Sequence, residues 1–166
     1  MPALTLPADV VAVFHNFRTA EFTTLAKDGT PITWPVTALY EEASGTFVTA
    51  TAIGLPQKAY NIRRNPRVAL LFSEPRASGL AGAPAVLVQG LAQVADDITS
   101  VAGLEGLWEK IYRFQPPSKV TSSNALMRYL MDWYYMRLKI VTTPQRVLWW
   151  AQGDFSRAPQ EAGHVG

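Results

Sequence analysis

Residues 46–72 contain the most informative run of this chain, which reads TFVTATAIGLPQKAYNIRRNPRVALLF. Its first part, Thr46–Thr51, is rich in threonine, valine and phenylalanine, which favour a strand. Pro56 suits the first turn of a helix and Pro66 ends it, which leaves about two to three helical turns between them. Arg67–Ser73 then has the apolar interior of a buried strand. The run therefore predicts a strand, a short helix and a second strand in direct succession.

Two further strands are predicted on the N-terminal side of this run. Glu21–Ala26 and Thr33–Tyr40 are joined by a turn containing Asp28-Gly29, a dipeptide typical of tight hairpins. A second turn, at residues 41–45, leads into Thr46–Thr51. The three strands are expected to follow one another as an antiparallel meander.

The C-terminal half is predicted to return to β structure after two helices. Ala85–Ala95 has the pattern of a strand and follows a loop rich in Gly, Ala and Pro. Strands are also predicted at Leu138–Val141 and Val147–Ala151, with a mobile tail over about residues 154–166. Apolar side chains at helical spacing predict the two helices, with the stripes Val101, Leu104, Leu107, Trp108, Ile111 and Leu126, Tyr129, Leu130, Trp133.

Together these elements predict a mainly β (α+β) fold. One domain is expected for residues 1–166, because a chain of this length suits a single hydrophobic core. A six-to-seven-stranded antiparallel split β-barrel accommodates the strands, with the short helix inserted between two of them and two further helices.

Composition excludes several classes of chemistry. The chain has no cysteine, so disulfides, thiolate metal sites and thiol catalysis are absent and redox chemistry has to come from a bound cofactor. Lys and Arg number 15 against 13 Asp and Glu, a bias too weak to predict nucleic-acid binding. No apolar stretch approaches the roughly 20 residues of a membrane span, and no signal sequence is evident. No membrane association and a cytoplasmic location are therefore expected.

A candidate anion site lies where the first strand of the quoted run passes into the helix. Thr49 and Thr51 supply hydroxyls at the strand end, and Lys58 lies at the start of the helix. Backbone N–H groups at a helix N-terminus, hydroxyls and a lysine are all groups that hold phosphate. Residues 56–67 carry four basic residues and no acidic one, which is equally the pattern of a solvated basic helix face.

The segments at residues 46–51 and 57–72 resemble the hallmark region of the pyridoxamine phosphate oxidase-like, FMN-binding split-barrel superfamily. In that family a helix ending in Asn-Pro-Arg-Val enters a buried strand, as residues 65–68 do here, and weaker similarity extends from Phe22 to Gly153. The resemblance implies a homodimer and an oxidoreductase that uses FMN, or alternatively the deazaflavin F420, to transfer hydride to or from a small organic substrate. A non-catalytic protein that binds a flavin, haem or another planar ligand is the alternative.

The resemblance also implies a set of cofactor-binding residues. The set is Trp34, Pro35, Val36, Thr37, Thr49, Thr51, Gln57, Lys58, Gln89 and Trp150. The first four match the strand that contacts the ring, and the two threonines match the strand end near the ribityl phosphate. Lys58 matches the basic residue that binds the phosphate, beside Gln57. Gln89 matches a strand where the second subunit often supplies contacts, and Trp150 matches a tryptophan that packs on the flavin, with core packing as the alternative.

The chain departs from the family's pattern at three places. Asp154-Phe155-Ser156-Arg157 replaces an Arg-Leu-His-Asp-Arg type segment, which disfavours true pyridoxamine phosphate oxidase activity. Trp34 stands where many members have arginine, and Tyr60 replaces a basic residue of many F420-binding relatives, so the choice of cofactor stays open. No side chain stands out as a catalytic acid or base, since His15 lies upstream of the first predicted strand and His164 lies in the tail. No metal site is predicted, since no metal motif is present.

Overall fold

The computed structural model describes residues 4–76, 78–115 and 135–163. Within these ranges the helices are α1 Ala8–Asn16, α2 Gln57–Arg64 and α3 Glu105–Phe114. The strands are β1 Ala20–Leu25, β2 Pro31–Val36, β3 Leu39–Glu41, β4 Thr46–Ala52, β5 Arg67–Phe72, β6 Ala85–Thr99, β7 Arg137–Trp150 and β8 Gln160–Gly163. The second predicted helix, with Leu126, Tyr129, Leu130 and Trp133, lies outside the described residues. Each helix in those ranges is too short or too polar to cross a membrane.

The strands form one antiparallel sheet whose two ends meet. Its order is β2-β1-β5-β6-β7-β4-β3, and β8 pairs with β7. β2 and β3 stand at opposite ends of this order, yet only Thr37 and Ala38 separate them in the chain. Because consecutive Cα atoms are about 3.8 Å apart, the two ends of the sheet have to meet, which closes it into a barrel. The predicted mainly β split barrel with an inserted helix is confirmed.

The predicted meander is wrong in its pairing. The sequence predicts one strand over Thr33–Tyr40, but the structure divides this region into β2, which pairs with β1, and β3, which pairs with β4. The chain crosses from one end of the sheet to the other at Thr37 and Ala38. A single straight strand cannot pair with both neighbours, because they lie at opposite ends of the sheet.

Two predictions for the C-terminal region also need correction. The strands predicted at Leu138–Val141 and Val147–Ala151 are parts of one long strand, β7, which continues through Pro144. Proline cannot donate to a ladder, and the register between β6 and β7 slips by one residue at this point, from Gln89 to Gly90. The predicted mobile tail contains β8, which pairs with residues 146–149 of β7.

Aromatic rings fill the interior of the barrel. The ring centroids of Phe14, Phe47 and Phe72 are 4.8, 5.2 and 5.9 Å apart. Phe14 belongs to α1, a helix that the sequence analysis did not predict, and it is buried together with Val10 and Val13. Their spacing of three and four residues places them on one helical face, so α1 inserts its apolar side into the barrel.

A buried amide attaches α2 to the barrel. Asn61 is fully buried, and its Nδ2 donates to Oγ1 of Thr24 on β1 at 2.9 Å. Its Oδ1 accepts from Nε2 of Gln57 at 2.9 Å and from the guanidinium of Arg64 at 2.6 Å. A buried polar group that is fully hydrogen-bonded holds its neighbours in one arrangement. The network therefore fixes the first turn of α2, which carries Lys58, against the barrel.

Candidate functional site

Two neighbouring cavities meet at Lys58. The first, here called the α3 cavity, has a volume of about 190 Å³ and is lined by Pro35, Val36, Thr37, Ala50, Lys58, Leu104, Leu107, Trp108, Ile111 and Arg137. The second, the α2 cavity, has a volume of about 330 Å³ and is lined by Trp34, Gly54, Leu55, Pro56, Gln57 and Lys58. Since Lys58 lines both, a ligand that spans the two cavities passes its side chain.

The ammonium group of Lys58 is partly buried and lies close to an aromatic ring. Its Nζ is 5.1 Å from the centroid of the Trp34 ring, within the range of a cation–π interaction. Burial lowers the pKa of Lys58 below its ordinary value, and no acidic residue in the described ranges offsets this loss of hydration. An anionic ligand group would supply the missing negative charge.

The N-terminus of α2 opens onto the α2 cavity. No side chain caps this end of the helix, and its first turn contains no acidic residue. The first N–H groups of a helix have no acceptor within the helix, and the helix dipole is positive at this end. This end of α2 can therefore bind a phosphate group beside Lys58.

Six of the ten predicted site residues lie around these cavities: Trp34, Pro35, Val36, Thr37, Gln57 and Lys58. On β2, Trp34 and Val36 pack against the barrel core, while Pro35 is exposed on the opposite face of the strand. Proline has no N–H to donate to a neighbouring strand. Pro35 therefore suits the last positions of β2, where the chain leaves the sheet and lines the α3 cavity. The structure thus brings the predicted ring-contacting strand and the predicted phosphate-binding lysine together.

Thr49 and Thr51 do not line either cavity. Both side chains are buried, and Oγ1 of Thr51 donates to the carbonyl oxygen of Leu55 at 2.8 Å. Successive residues of a strand point to opposite faces. On β4, Phe47 packs in the barrel core, so the two threonines share its inward face, and Ala50 points outward and lines the α3 cavity. The geometry does not support their predicted place beside the phosphate.

Thr49→Val is expected to leave cofactor binding unchanged and to keep or raise the free energy of unfolding, by up to about 1 kcal/mol. Oγ1 of Thr49 is buried and has no hydrogen-bond partner among the described residues, so removing this hydroxyl costs no bond. Thr51→Val is the matched control, since it removes the bond to Leu55 and should lower stability by about 1 kcal/mol. Urea denaturation measures both; a clear loss of stability in Thr49→Val would show that its hydroxyl is bonded.

Gln89 and Trp150 lie apart from both cavities. Gln89 is exposed on β6, opposite Ala69 of β5 and Arg146 of β7. Trp150 is half-buried at the end of β7, with its ring centroid 5.2 Å from that of Phe155. Within one chain, neither residue lines the α2 or the α3 cavity.

Sequence reasoning missed the outer wall of the α3 cavity. Leu104, Leu107, Trp108 and Ile111 lie in the apolar stripe that predicted a helix, but none of them is among the predicted site residues. Arg137, at the start of β7, was not singled out because its neighbours in the sequence form no motif. Its guanidinium lies 5.4 Å from the centroid of the Trp108 ring. Strand pairing places it at the cavity, since Arg137 is opposite Ala52 of β4.

The basic residues at the far end of α2 are bound to protein groups. A guanidinium nitrogen of Arg63 donates to the carbonyl oxygen of Ala95 at 3.3 Å and lies 3.8 Å from the carboxylate of Asp96. Arg64 donates to the side chain of Asn61. Neither residue lines the α2 or the α3 cavity, so of the basic cluster on α2 only Lys58 does so.

Comparisons with known proteins agree with this architecture. The family model described as pyridoxamine 5'-phosphate oxidase matches residues 6–135, while no curated protein matches the chain. The fold is similar to that of an F420 reductase, with 19% identity over 86% of this chain and 98% of that chain and a TM-score of 0.58. It is also similar to General Stress Protein 26 from Bacillus anthracis, with 16% identity over 92% and 94% of the two chains and a TM-score of 0.56.

A third similar structure is a haem-binding protein from Mycobacterium smegmatis, with 16% identity over 96% of this chain and 59% of that chain and a TM-score of 0.57. Identities this low show a shared fold. The family model, in contrast, covers residues 6–135, from before α1 to the end of the segment between α3 and β7. The chain therefore belongs to the pyridoxamine 5'-phosphate oxidase family.

Proposed function

We propose that this protein is an oxidoreductase that binds FMN or F420 across the α2 and α3 cavities. The observation that carries this proposal is Lys58, a partly buried cation at the junction of the two cavities that has no acidic partner in the described ranges. A buried charge is costly unless an opposite charge accompanies it. A phosphate group at the N-terminus of α2 would provide that charge.

The residues around the cavities suit the two parts of such a cofactor. The first-turn N–H groups of α2 and the ammonium of Lys58 would hold the phosphate in the α2 cavity. The ring system would lie along Pro35–Thr37, against the apolar wall that Leu104 and Leu107 of α3 provide. A bound flavin or deazaflavin supplies hydride chemistry, and the chain binds it, orients it and keeps water from it.

A binding protein without turnover is the second candidate. Lys58 and Arg137 are the ionisable groups among the described residues that line the two cavities. Lys58 is placed on the phosphate and an arginine stays protonated at neutral pH, so neither is assigned a proton transfer at the ring. One similar structure is a haem-binding protein and another is an F420 reductase. Both kinds of protein are therefore compatible with this site.

Titration of the purified protein with FMN, F420 and haem separates these candidates. We expect saturable quenching of the FMN or F420 fluorescence at micromolar protein, followed by reduction of the bound cofactor by a chemical or enzymatic donor and its reoxidation by quinones or enones. Saturable binding of haem together with no binding of FMN or F420 would favour the binding protein. Absence of binding to both FMN and F420 would overturn the proposed oxidoreductase.

We further propose that the protein works as a homodimer. The outer face of the sheet carries a row of paired positions that runs from Pro35 through Glu21 and Leu71 to Leu87. Leu71 and Leu87 are only half-buried there, and Leu91, four residues beyond Leu87 on β6, is 36% exposed. Pro35 also lines the α3 cavity. A second copy seated on this face would cover the leucines and reach the edge of the cavity.

Leu87→Arg is expected to convert the dimer into a monomer and to weaken cofactor binding by at least about tenfold, because a buried unpaired charge would oppose association. Ile98→Arg is the matched control, since Ile98 is 58% exposed on the same strand, beyond the second register shift, and should leave the dimer intact. Sedimentation velocity on the cofactor-loaded proteins decides. If the wild-type protein is a monomer that holds its cofactor tightly, the proposal that a second copy completes the cofactor site is contradicted.

A further inference from the structure

Lys110 of α3 carries a buried ammonium group that the candidate cofactor site does not use. The residue is only 7% exposed. Its Nζ donates to the carbonyl oxygen of Phe14 at 2.5 Å and to that of Ala38 at 2.7 Å. The first acceptor lies in the last turn of α1, and the second lies in the crossing between β2 and β3. An ammonium group has three N–H donors, and these two bonds use two of them.

A separate cavity adjoins this ammonium group. It has a volume of about 250 Å³ and is lined by His15, Leu39, Gly106, Glu109, Lys110 and Arg113. We call it the α1–α3 cavity. Lys110 binds the carbonyl groups of Phe14 and Ala38. The residues that follow them in the chain, His15 and Leu39, both line the cavity. The ammonium group therefore lies between two segments of chain that line the cavity.

No ion pair in the described ranges neutralises that cation. No carboxylate in the described ranges lies within ion-pair distance of Lys110, and its two acceptors are neutral. The C-terminus of α1 contributes only about half a negative charge. Nε2 of His15 is bound to the carboxylate of Glu42 at 2.6 Å, and Glu109 is an exposed residue at the cavity. Burial, followed by the neighbouring charge of Arg113, lowers the pKa of Lys110 to about 8.

We propose that the α1–α3 cavity is a binding site for a small oxyanion, such as phosphate or the carboxylate of a short organic acid. The third N–H of Lys110 and the guanidinium of Arg113 are the two donors that recognise it. A volume of about 250 Å³ accommodates an anion of this size. The anion neutralises the buried cation and links α1, α3 and the crossing between β2 and β3.

This site is distinct from the candidate cofactor site. Lys58 does not line the α1–α3 cavity, and Lys110 and Arg113 do not line the α2 or α3 cavities. On α3, residues 107, 108 and 111 face the α3 cavity, whereas residues 106, 109, 110 and 113 face the α1–α3 cavity. The two sites therefore lie on opposite sides of one helix, and the proposal holds whether or not a flavin binds.

Isothermal titration of the full chain with inorganic phosphate, and separately with succinate, in a buffer of constant ionic strength tests the proposal. We expect saturable binding of at least one probe, weakened at least tenfold in Arg113→Met and Lys110→Met. Arg76→Met, at an exposed arginine in the loop before β6, is the control and should retain wild-type affinity. Lys58→Met tests the competing assignment of the anion to the candidate cofactor site. Phosphate binding alone would identify a tetrahedral oxyanion as the ligand, and succinate binding alone a carboxylate.

Three results would overturn the proposal. These are no binding of either probe to the wild type, unchanged affinity in Arg113→Met, or loss of binding in Lys58→Met with Arg113→Met unaffected, which would place the anion in the candidate cofactor site. Lys110→Met removes two buried hydrogen bonds and can fail to fold. In that case Arg113→Met decides, because Arg113 is exposed and its replacement leaves the bonds of Lys110 in place.

Discussion

Gly90→Ala is expected to lower the free energy of unfolding by about 3 kcal/mol, or to prevent folding. A Cβ atom at this position would lie 2.3 Å from the carbonyl oxygen of Thr143 and 3.1 Å from Cα of Pro144. These are backbone atoms of β7, which pairs with β6, β4 and β8. They cannot move aside without breaking strand pairing, whereas a flexible side chain could.

The expected fall in the unfolding midpoint is about 6–12 °C for a protein of this size. Gly54→Ala is the matched control, because a Cβ there meets no atom within 4 Å and the backbone does not require glycine. Thermal unfolding followed by circular dichroism measures both variants. An unchanged midpoint in Gly90→Ala would show that β7 can shift at the register slip beside Pro144. The close approach of β6 and β7 would then not be essential for stability.

Lys58→Ala is expected to weaken binding of FMN or F420 by roughly 1.5–3 kcal/mol, the range for a hydrogen bond to a charged group. This corresponds to an increase in Kd of about 10- to 150-fold. The fold should persist, because the Lys58 side chain is partly exposed and its removal leaves no buried partner unsatisfied. The partial burial that lowers the pKa of Lys58 is a cost to the folded protein, and the variant does not carry it. Fluorescence titration of each cofactor measures the change, and thermal unfolding confirms that the variant is folded.

Arg63→Ala and Arg64→Ala are the controls for Lys58→Ala, and Arg63→Ala is the cleaner of the two because Arg64 also donates to the buried Asn61. Both residues lie on the same short helix and carry the same charge, but they line neither the α2 nor the α3 cavity. Their effect on the Kd should be less than about threefold if direct contact rather than overall charge decides binding. An equal loss in all three variants would place the phosphate elsewhere on the helix, and an unchanged Kd in Lys58→Ala would remove this lysine from the site.

Local signals in the sequence were sufficient for α2 and β5. Pro56 and Pro66 act through their own backbone, since proline fixes φ and cannot continue a helix, and the structure places α2 at Gln57–Arg64 between them. The apolar run of β5 likewise predicted its position, Arg67–Phe72. The position of Lys58 beside the strand of Pro35 followed from the family resemblance, because the strand and helix are far apart in the sequence.

The direction of individual side chains depended on which strands became neighbours. Thr49 and Thr51 faced the barrel interior, and Ala50 faced the α3 cavity, because β4 pairs with β7 in a particular register. A shift of one residue exchanges the two faces of a strand, and nothing local in Thr46–Thr51 distinguishes them. The roles predicted for the two threonines rested on their position at the strand end, which does not determine the face.

From sequence alone, the family, the mainly β class and the strand, helix and strand order around residues 46–72 could be obtained, because each depends on propensity, proline geometry or motif. Tertiary structure alone decided where the chain crosses between β2 and β3, that Arg137 meets the α3 cavity, and that Lys110 joins α1 to that crossing. These are contacts between residues distant in the chain. They form only when closure of the barrel brings its two ends together, and no local preference of either partner specifies them.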